Sequence, residues 1–197
     1  MDHEGKKYDL IADQFDHNRC RLLREKKYLD YITDQLSCDA HVLDVGCGMG
    51  EPIAQYFIEK GFKLTGVDAS EKLLALALRR YPEMEWLSGD MREINLTRQY
   101  DVIIAFDSFF HLAINDQLKM IERFAVWLKP GGKLLVTTGP EEGEKIGQQM
   151  YGQLFSYYSM SVENYRKCFD DNELDILLSE EDQPGHRVWI VLKGQKQ

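Results

Sequence analysis

Residues 42–52 read V-L-D-V-G-C-G-M-G-E-P. A short aliphatic run ends in an acidic residue and a valine, and glycines follow at alternate positions, Gly46, Gly48 and Gly50. The β-branched run predicts a strand. Glycine suits a turn where the backbone must come close to a ligand, because no Cβ stands in the way. The next helical run, E-P-I-A-Q-Y-F-I-E-K (51–60), carries Pro52 in its first turn and brings the positive end of a helix dipole to the same place. The stretch therefore predicts strand, ligand loop and helix start, with a polar or anionic group lying on residues 46–50.

Outward from this loop, short apolar runs alternate with helical ones. H-V-L-D-V (41–45), F-K-L-T-G-V-D (62–68), E-W-L-S (85–88), D-V-I-I-A-F (101–106) and K-L-L-V-T-T (133–138) read as strands. Helices fall over 71–80, with Ser70 as N-cap and Pro82 as the stop, and over 115–128. Strands apolar throughout and separated by helices predict a parallel sheet covered on both faces, an α/β doubly wound fold. Upstream, residues 8–36 show helical spacing with a break near 16–18. Downstream, residues 139–160 are polar and aromatic, with 139–145 expected as a mobile loop, and a helix follows over 162–169. Strands at 173–179 and 187–192 are joined by a connector too short for a crossover helix, so they must pair antiparallel.

At 197 residues the chain is expected to form one domain, 1–197, with an N-terminal helical lid (1–37), a ligand-binding half (40–138) and a closing segment with the hairpin (139–197). The net charge of −9 argues against nucleic acid and favours a small uncharged or cationic partner. Cys20, Cys38, Cys47 and Cys168 form no C-x-x-C pair, no metal site is expected, and a reducing, cytoplasmic setting follows. No run approaches the roughly 20 apolar residues of a membrane span, and no signal-peptide core is present.

A dinucleotide loop reads G-x-G-x-x-G, and its third glycine falls where this chain has Glu51. A carboxylate there would repel a pyrophosphate. A ligand with an amino acid group and a sulfonium tolerates nearby acids, and S-adenosylmethionine is such a ligand.

From about residue 8 to 192 the chain resembles the class I S-adenosylmethionine-dependent methyltransferases. The resemblance rests on V-L-D-V-G-C-G-M-G (42–50), L-T-G-V-D-A-S (64–70), S-G-D-M (88–91), Y-D-V-I-I-A-F-D-S-F-F-H-L (100–112) and L-K-P-G-G-K-L-L-V-T-T (128–138), in that order. It implies a Rossmann-like seven-stranded sheet, mostly parallel, with a C-terminal antiparallel hairpin and strand order 3-2-1-4-5-7-6. It implies a cofactor site built from Gly46, Cys47, Gly48 and Gly50, with Asp44 facing the methionine ammonium or merely fastening the loop. Asp68, with Ala69 and Ser70, would take the ribose hydroxyls, unless Asp68 only caps the next helix. Asp90 would accept from the adenine amino group and Met91 N–H donate to the ring, with Phe106 beside them. Tyr8 and Arg19 would belong to a lid over the cofactor, and S-adenosylhomocysteine would be the product.

For the acceptor side, the resemblance places Asp107 and Ser108 beneath the cofactor. His111 is the best general base by residue type, or else a structural histidine before the next helix. A closer likeness runs to small bacterial-type members that share D-S-F-F-H-L, T-x-G-P-x-x-G-E-x-x-G and a final G-H-x-V-W strand, here Gly185 to Trp189. In this chain Glu173-Leu174 stands where many of those members have Gly-Phe. The expected activity is methyl transfer to an oxygen or nitrogen of a small-molecule acceptor, in a monomer or homodimer with no nucleic acid or membrane partner. The alternative is a non-catalytic module that binds S-adenosylmethionine for regulation.

Overall fold

The computed structural model describes residues 4–194. The outer ends of the expected 1–197 domain, residues 1–3 and 195–197, lie outside the described residues. The chain opens with two helices, α1 (Glu4–Asn18) and α2 (Lys26–Thr33). The break between them spans 19–25, later than the expected 16–18, because α1 continues through its polar end to Asn18. Then come β1 (His41–Val45), α3 (Ile53–Glu59), β2 (Lys63–Asp68), α4 (Glu71–Arg80), β3 (Glu85–Ser88) and β4 (Tyr100–Ala105). A 3₁₀ turn at Phe109–His111 leads to α5 (Ile114–Trp127) and β5 (Leu128–Thr138). The rest is β6 (Gly143–Met150), β7 (Gln153–Ser159), α6 (Val162–Asp171), β8 (Leu174–Gln183) and β9 (His186–Lys193).

Local chemistry accounts for the element ends. Ser70 accepts from Leu73 N–H at the start of α4, with Glu71 in its first turn and Arg79 and Arg80 in its last, matching the helix dipole at both ends. Ser161 caps α6 the same way, accepting from Asn164 N–H. Glu173, just before β8, has φ +56°, a left-handed conformation that costs a non-glycine residue about 1 kcal/mol. That requirement explains the glycine of the related sequences.

The main sheet has the order β3-β2-β1-β4-β5-β9-β8, parallel through β5 and antiparallel over the last two strands. Counted within this sheet alone, the order is 3-2-1-4-5-7-6, as expected. β4 is buried almost throughout, which is why its sequence shows no alternation. On one face Leu29, Ile32 and Phe57 bring α2 and α3 against the sheet, and on the other Ile121, Phe124 and Phe169 bring α5 and α6, with Phe109 of the 3₁₀ turn beside them. Each such buried side chain contributes about 1.5–3 kcal/mol. Among the described residues, no helix is long and apolar enough to cross a membrane.

One expectation fails. Residues 143–145 of the anticipated mobile loop belong to β6, which pairs with β7 in a separate two-stranded sheet. Tyr151 and Gly152 both take positive φ (+47° and +82°), the geometry of a tight hairpin turn. α1 and β7 then pack across the carboxyl ends of the strands: the Tyr8 ring lies 4.9 Å from that of fully buried Phe155. Tyr151 is 42% exposed at the hairpin tip.

Candidate functional site

The sheet order reverses between β1 and β4, and a crevice opens where their carboxyl ends diverge. It holds a cavity of about 540 Å³ under the α1 and β7 roof. Gly46, Cys47, Gly48, Asp44, Asp68, Ala69, Asp90, Met91 and Phe106 line it, as do Tyr8, Arg19, Asp107 and His111. Of the remaining candidates, Ser70 is fully buried as the α4 cap. Gly50 has φ +80° and packs against Trp86 and Tyr81 instead of lining the cavity.

The glycine loop does not work as a cradle of free N–H groups. Gly46 and Cys47 N–H both bond Val67 O (2.7 and 3.1 Å), Gly48 N–H bonds Asp68 Oδ2 (2.8 Å) and Gly50 N–H bonds Cys47 O (3.1 Å). A Cβ on Gly46 would sit 2.2 Å from that of Ser108, so protein packing, not a ligand, requires this glycine. Gly48, at φ +54°, is the one whose added Cβ would meet nothing closer than 3.8 Å. The loop is closed on itself and offers few donors to a phosphate.

Glu51 requires a correction too. Its carboxylate does not stand bare at the mouth of α3: Arg21 Nε lies 2.6 Å from one oxygen and Arg80 Nε 3.6 Å from the other. The guanidinium groups cancel the repulsion attributed to it. What disfavours a pyrophosphate is that the N–H groups of Gly46, Cys47, Gly48 and Gly50 are already bonded within the protein.

The cavity asks for positive charge. Asp44 is 3% exposed, and among the described residues its carboxylate has no hydrogen-bond or ion-pair partner. Burial pushes its pKa up to about 7, with the nearby Asp68 charge adding to the rise. Asp68 is pushed up to about 6 by burial, while N–H bonds from Ser70 and Gly48 hold the rise back. Asp68 thus fastens the loop and the α4 start, and it also faces the cavity. Asp90 is not a free acceptor. Arg92 reaches it through the backbone N–H and the guanidinium, and also holds Asp116 at 2.9 Å.

On the roof side, His111 Nδ1 lies 3.1 Å from Ser156 O, a carbonyl that only accepts, so Nδ1 carries the proton. Nε2 then accepts from the Tyr8 hydroxyl at 3.1 Å. Burial lowers the His111 pKa below its usual value and raises that of Tyr8 far above. A neutral imidazole and a neutral phenol face each other across the roof.

Asp107, at φ +54°, is held by its N–H to Thr137 Oγ1 (2.8 Å). Its Oδ1 meets His186 Nε2 at 2.9 Å, its Oδ2 lies 4.0 Å from Arg19, and His186 Nδ1 meets Asp182. A neutral imidazole has one N–H, so bonding both carboxylates requires the imidazolium. Burial lowers the His186 pKa, but the two carboxylates outweigh it and the net shift is upward. His186 was legible only as part of G-H-x-V-W, without a role. Arg92 and Glu4 were missed because nothing in their local sequence points to the cavity. Among the described residues, no three His, Cys, Asp or Glu side chains are grouped as metal ligands.

Comparison with known proteins agrees with this layout. Residues 42–132 match the family described as "Methyltransferase domain". A putative methyltransferase, YqeM of Bacillus subtilis, is 36% identical over 115 residues, covering 55% of this chain and 46% of that protein. A ubiquinone biosynthesis O-methyltransferase of Coxiella burnetii is 33% identical over 117 residues, covering 56% and 48%. The chain thus spans about half the length of the curated relatives it matches. In fold it is similar to CalS10, an amino pentose methyltransferase of Micromonospora echinaspora solved with S-adenosylmethionine bound. The TM-score is 0.72 at 19% identity, over 93% of this chain and 96% of that one. The motif series, the methyltransferase domain matched over residues 42–132 and the sheet order together support a class I S-adenosylmethionine-dependent methyltransferase.

Proposed function

We propose that the protein transfers a methyl group from S-adenosylmethionine to an oxygen or nitrogen of a small molecule, in a reducing, cytoplasmic setting. The observation that carries this reading is Asp44, a buried carboxylate without a partner among the described residues, beside a loop whose glycine N–H groups are spent. That pairing fits a cationic amino acid end and not a phosphate. Asp44 would hold the ammonium, Asp68 the ribose hydroxyls, and Met91 N–H with Phe106 the base. Asp90 would reach the adenine amino group only by sharing the carboxylate that Arg92 already engages. Arg19, at the rim, would meet a carboxylate of the cofactor or the acceptor.

When bound, the cofactor supplies a methyl on a sulfonium, open to a lone pair in line with the departing sulfur. The chain orients the acceptor, keeps water out beneath the α1 and β7 roof, and moves one proton. His111 Nε2 is covered by the Tyr8 hydroxyl, so it serves as base through that hydroxyl: Tyr8 gives its proton to Nε2 while taking one from the acceptor. The same covering favours a second reading, a module that binds the cofactor without catalysis, because a histidine with both nitrogens engaged is also a structural one.

Isothermal titration with S-adenosylhomocysteine tests the cofactor site, and folded protein that shows no binding ends both readings. Incubating metabolite extracts with methyl-labelled cofactor separates them: label in any product supports the enzyme, and none supports the module.

A further inference from the structure

Two carboxylates on the acceptor side of the cavity are left with capacity to bind. Glu4, on the first turn of α1, accepts at Oε1 from Lys7 Nζ at 2.9 Å, while its Oε2 is buried with no hydrogen-bond partner among the described residues. Asp107 has Oδ1 fixed by His186, whereas Oδ2 has, among the described residues, only Arg19 at the long distance of 4.0 Å. Both charges act on the same two side chains, His111 and Tyr157, so they flank one space. That space is walled by Phe110, Tyr157 and Tyr8, rings whose faces attract cations. Arg92 does not balance it, being shared between Asp90 and Asp116.

We propose that the methyl acceptor is an amine, bound as its cation between Glu4 and Asp107, and that His186 is the positioning residue that aims the Asp107 carboxylate. The proposal rests on the methyl-transfer reading. A carboxylate-bearing acceptor would meet two like charges, and a hydroxyl acceptor brings one donor where Glu4 Oε2 and Asp107 Oδ2 offer two acceptors. Before attack the ammonium gives one proton, by way of Tyr8, to His111 Nε2. The N–C bond then forms as the C–S bond breaks with its electron pair passing to sulfur, the product leaves as the N-methylammonium, and His111 returns its proton to solvent.

The test uses the full chain saturated with S-adenosylhomocysteine, titrated with benzylammonium, benzyl alcohol and benzoate. Benzylammonium is expected to bind at least about fivefold tighter than the alcohol, with benzoate weakest, the scale of a single partly desolvated charge contact. Glu4→Gln and Asp107→Asn should each erase the preference while S-adenosylhomocysteine still binds. His186→Gln, which still offers Asp107 an N–H, should keep much of the preference that His186→Leu loses, a contrast that a purely structural role does not produce. No measurable benzylammonium binding, a preference for alcohol or benzoate, or a preference that survives both carboxylate variants overturns the proposal. Label from methyl-labelled cofactor entering an amine-acylated extract as fast as an untreated one overturns it as well. Failure of S-adenosylhomocysteine itself to bind defeats the underlying methyltransferase reading, and the proposal with it, and is recognised separately.

Discussion

His186 Nε2 donates to Asp107 Oδ1 at 2.9 Å, joining the first residue of β9 to the residue that leaves β4, 79 positions earlier. The bond ties the closing hairpin to the floor of the cavity. With Asp182 on Nδ1, the ring carries its charge in the folded state, and its pKa is raised despite burial. A histidine with a raised folded pKa contributes stability that is fully present below its unfolded value near 6.5 and is lost as pH rises through the folded value. His186→Gln should therefore lower Tm most at pH 6, with the gap to wild type narrowing toward pH 9. Thermal unfolding across that range measures it, and a gap independent of pH would show that the charge contributes nothing.

Asp44 gives the opposite probe, a carboxylate whose folded pKa is raised from 3.8 to about 7. The stability linked to its protonated form is full below about 3.8 and is lost as pH rises through 7, so the ligand-free protein carries a buried charge at pH 8. Asp44→Asn should raise the Tm of the ligand-free protein relative to wild type at pH 8, by less at pH 5 and least below pH 4. Cofactor binding should respond inversely. Affinity for S-adenosylhomocysteine, whose ammonium is proposed to sit on this carboxylate, should rise about tenfold from pH 6 to 8 in wild type and stay weak and flat in Asp44→Asn. Titrations at both pH values decide this, and parallel curves for the two proteins would remove Asp44 from the ammonium role.

Much of the sheet was legible because its signals are local. The D-V-I-I-A-F run, Ser70 before α4 and the short connector before β9 each specify their own element. The β6–β7 hairpin was not, because residues 143–149 are exposed and, Ile146 apart, carry no apolar side chain that could show alternation. Its turn residue Tyr151 also takes a positive φ that only the neighbouring Gly152 hints at. In the site, residue positions were readable and residue partners were not. Glu51 meets Arg21 and Arg80 from 30 and 29 positions away, and His186 meets Asp107 from 79. Such pairings depend on which loops the fold brings to the crevice, and no spacing rule in the chain encodes them.

The Glu51 contacts belong to a network in which Arg80 Nη2 bonds both Asp16 oxygens at 2.8 Å and Arg21 bridges Asp16 and Glu51 at 2.7 and 2.6 Å. It pins the end of α1 to the end of α4. Arg80→Ala should cost about 1 kcal/mol and speed proteolytic cutting near residues 16–25. Glu51→Gly, which completes the dinucleotide spacing, should still not bind NADH, because the loop N–H groups stay bonded to Val67 O and Asp68. NADH binding by that variant would restore the role first assigned to Glu51.

The Tyr8 hydroxyl and His111 Nε2, 3.1 Å apart, separate a relay from a lid. Tyr8→Phe keeps the ring against Phe15 and Phe155 and removes only the hydroxyl, leaving Nε2 without its donor at a stability cost of about 1 kcal/mol. A lid that works by packing survives this change, so cofactor affinity should move by less than about threefold, under 1 kcal/mol. A relay does not survive it: the lowered pKa of His111 keeps the imidazole neutral, but no proton reaches it through the missing oxygen. Methyl transfer to any acceptor that sheds a proton should then fall about a hundredfold or more, the scale of a lost acid–base contribution. His111→Asn should fall as far, and the double variant no further, since both changes cut the same path. The measurement is a pair of numbers for each variant, the affinity for S-adenosylhomocysteine and the rate of label transfer into extract. If Tyr8→Phe retains the rate while His111→Asn loses it, the acceptor hands its proton to the histidine directly and Tyr8 serves only as packing.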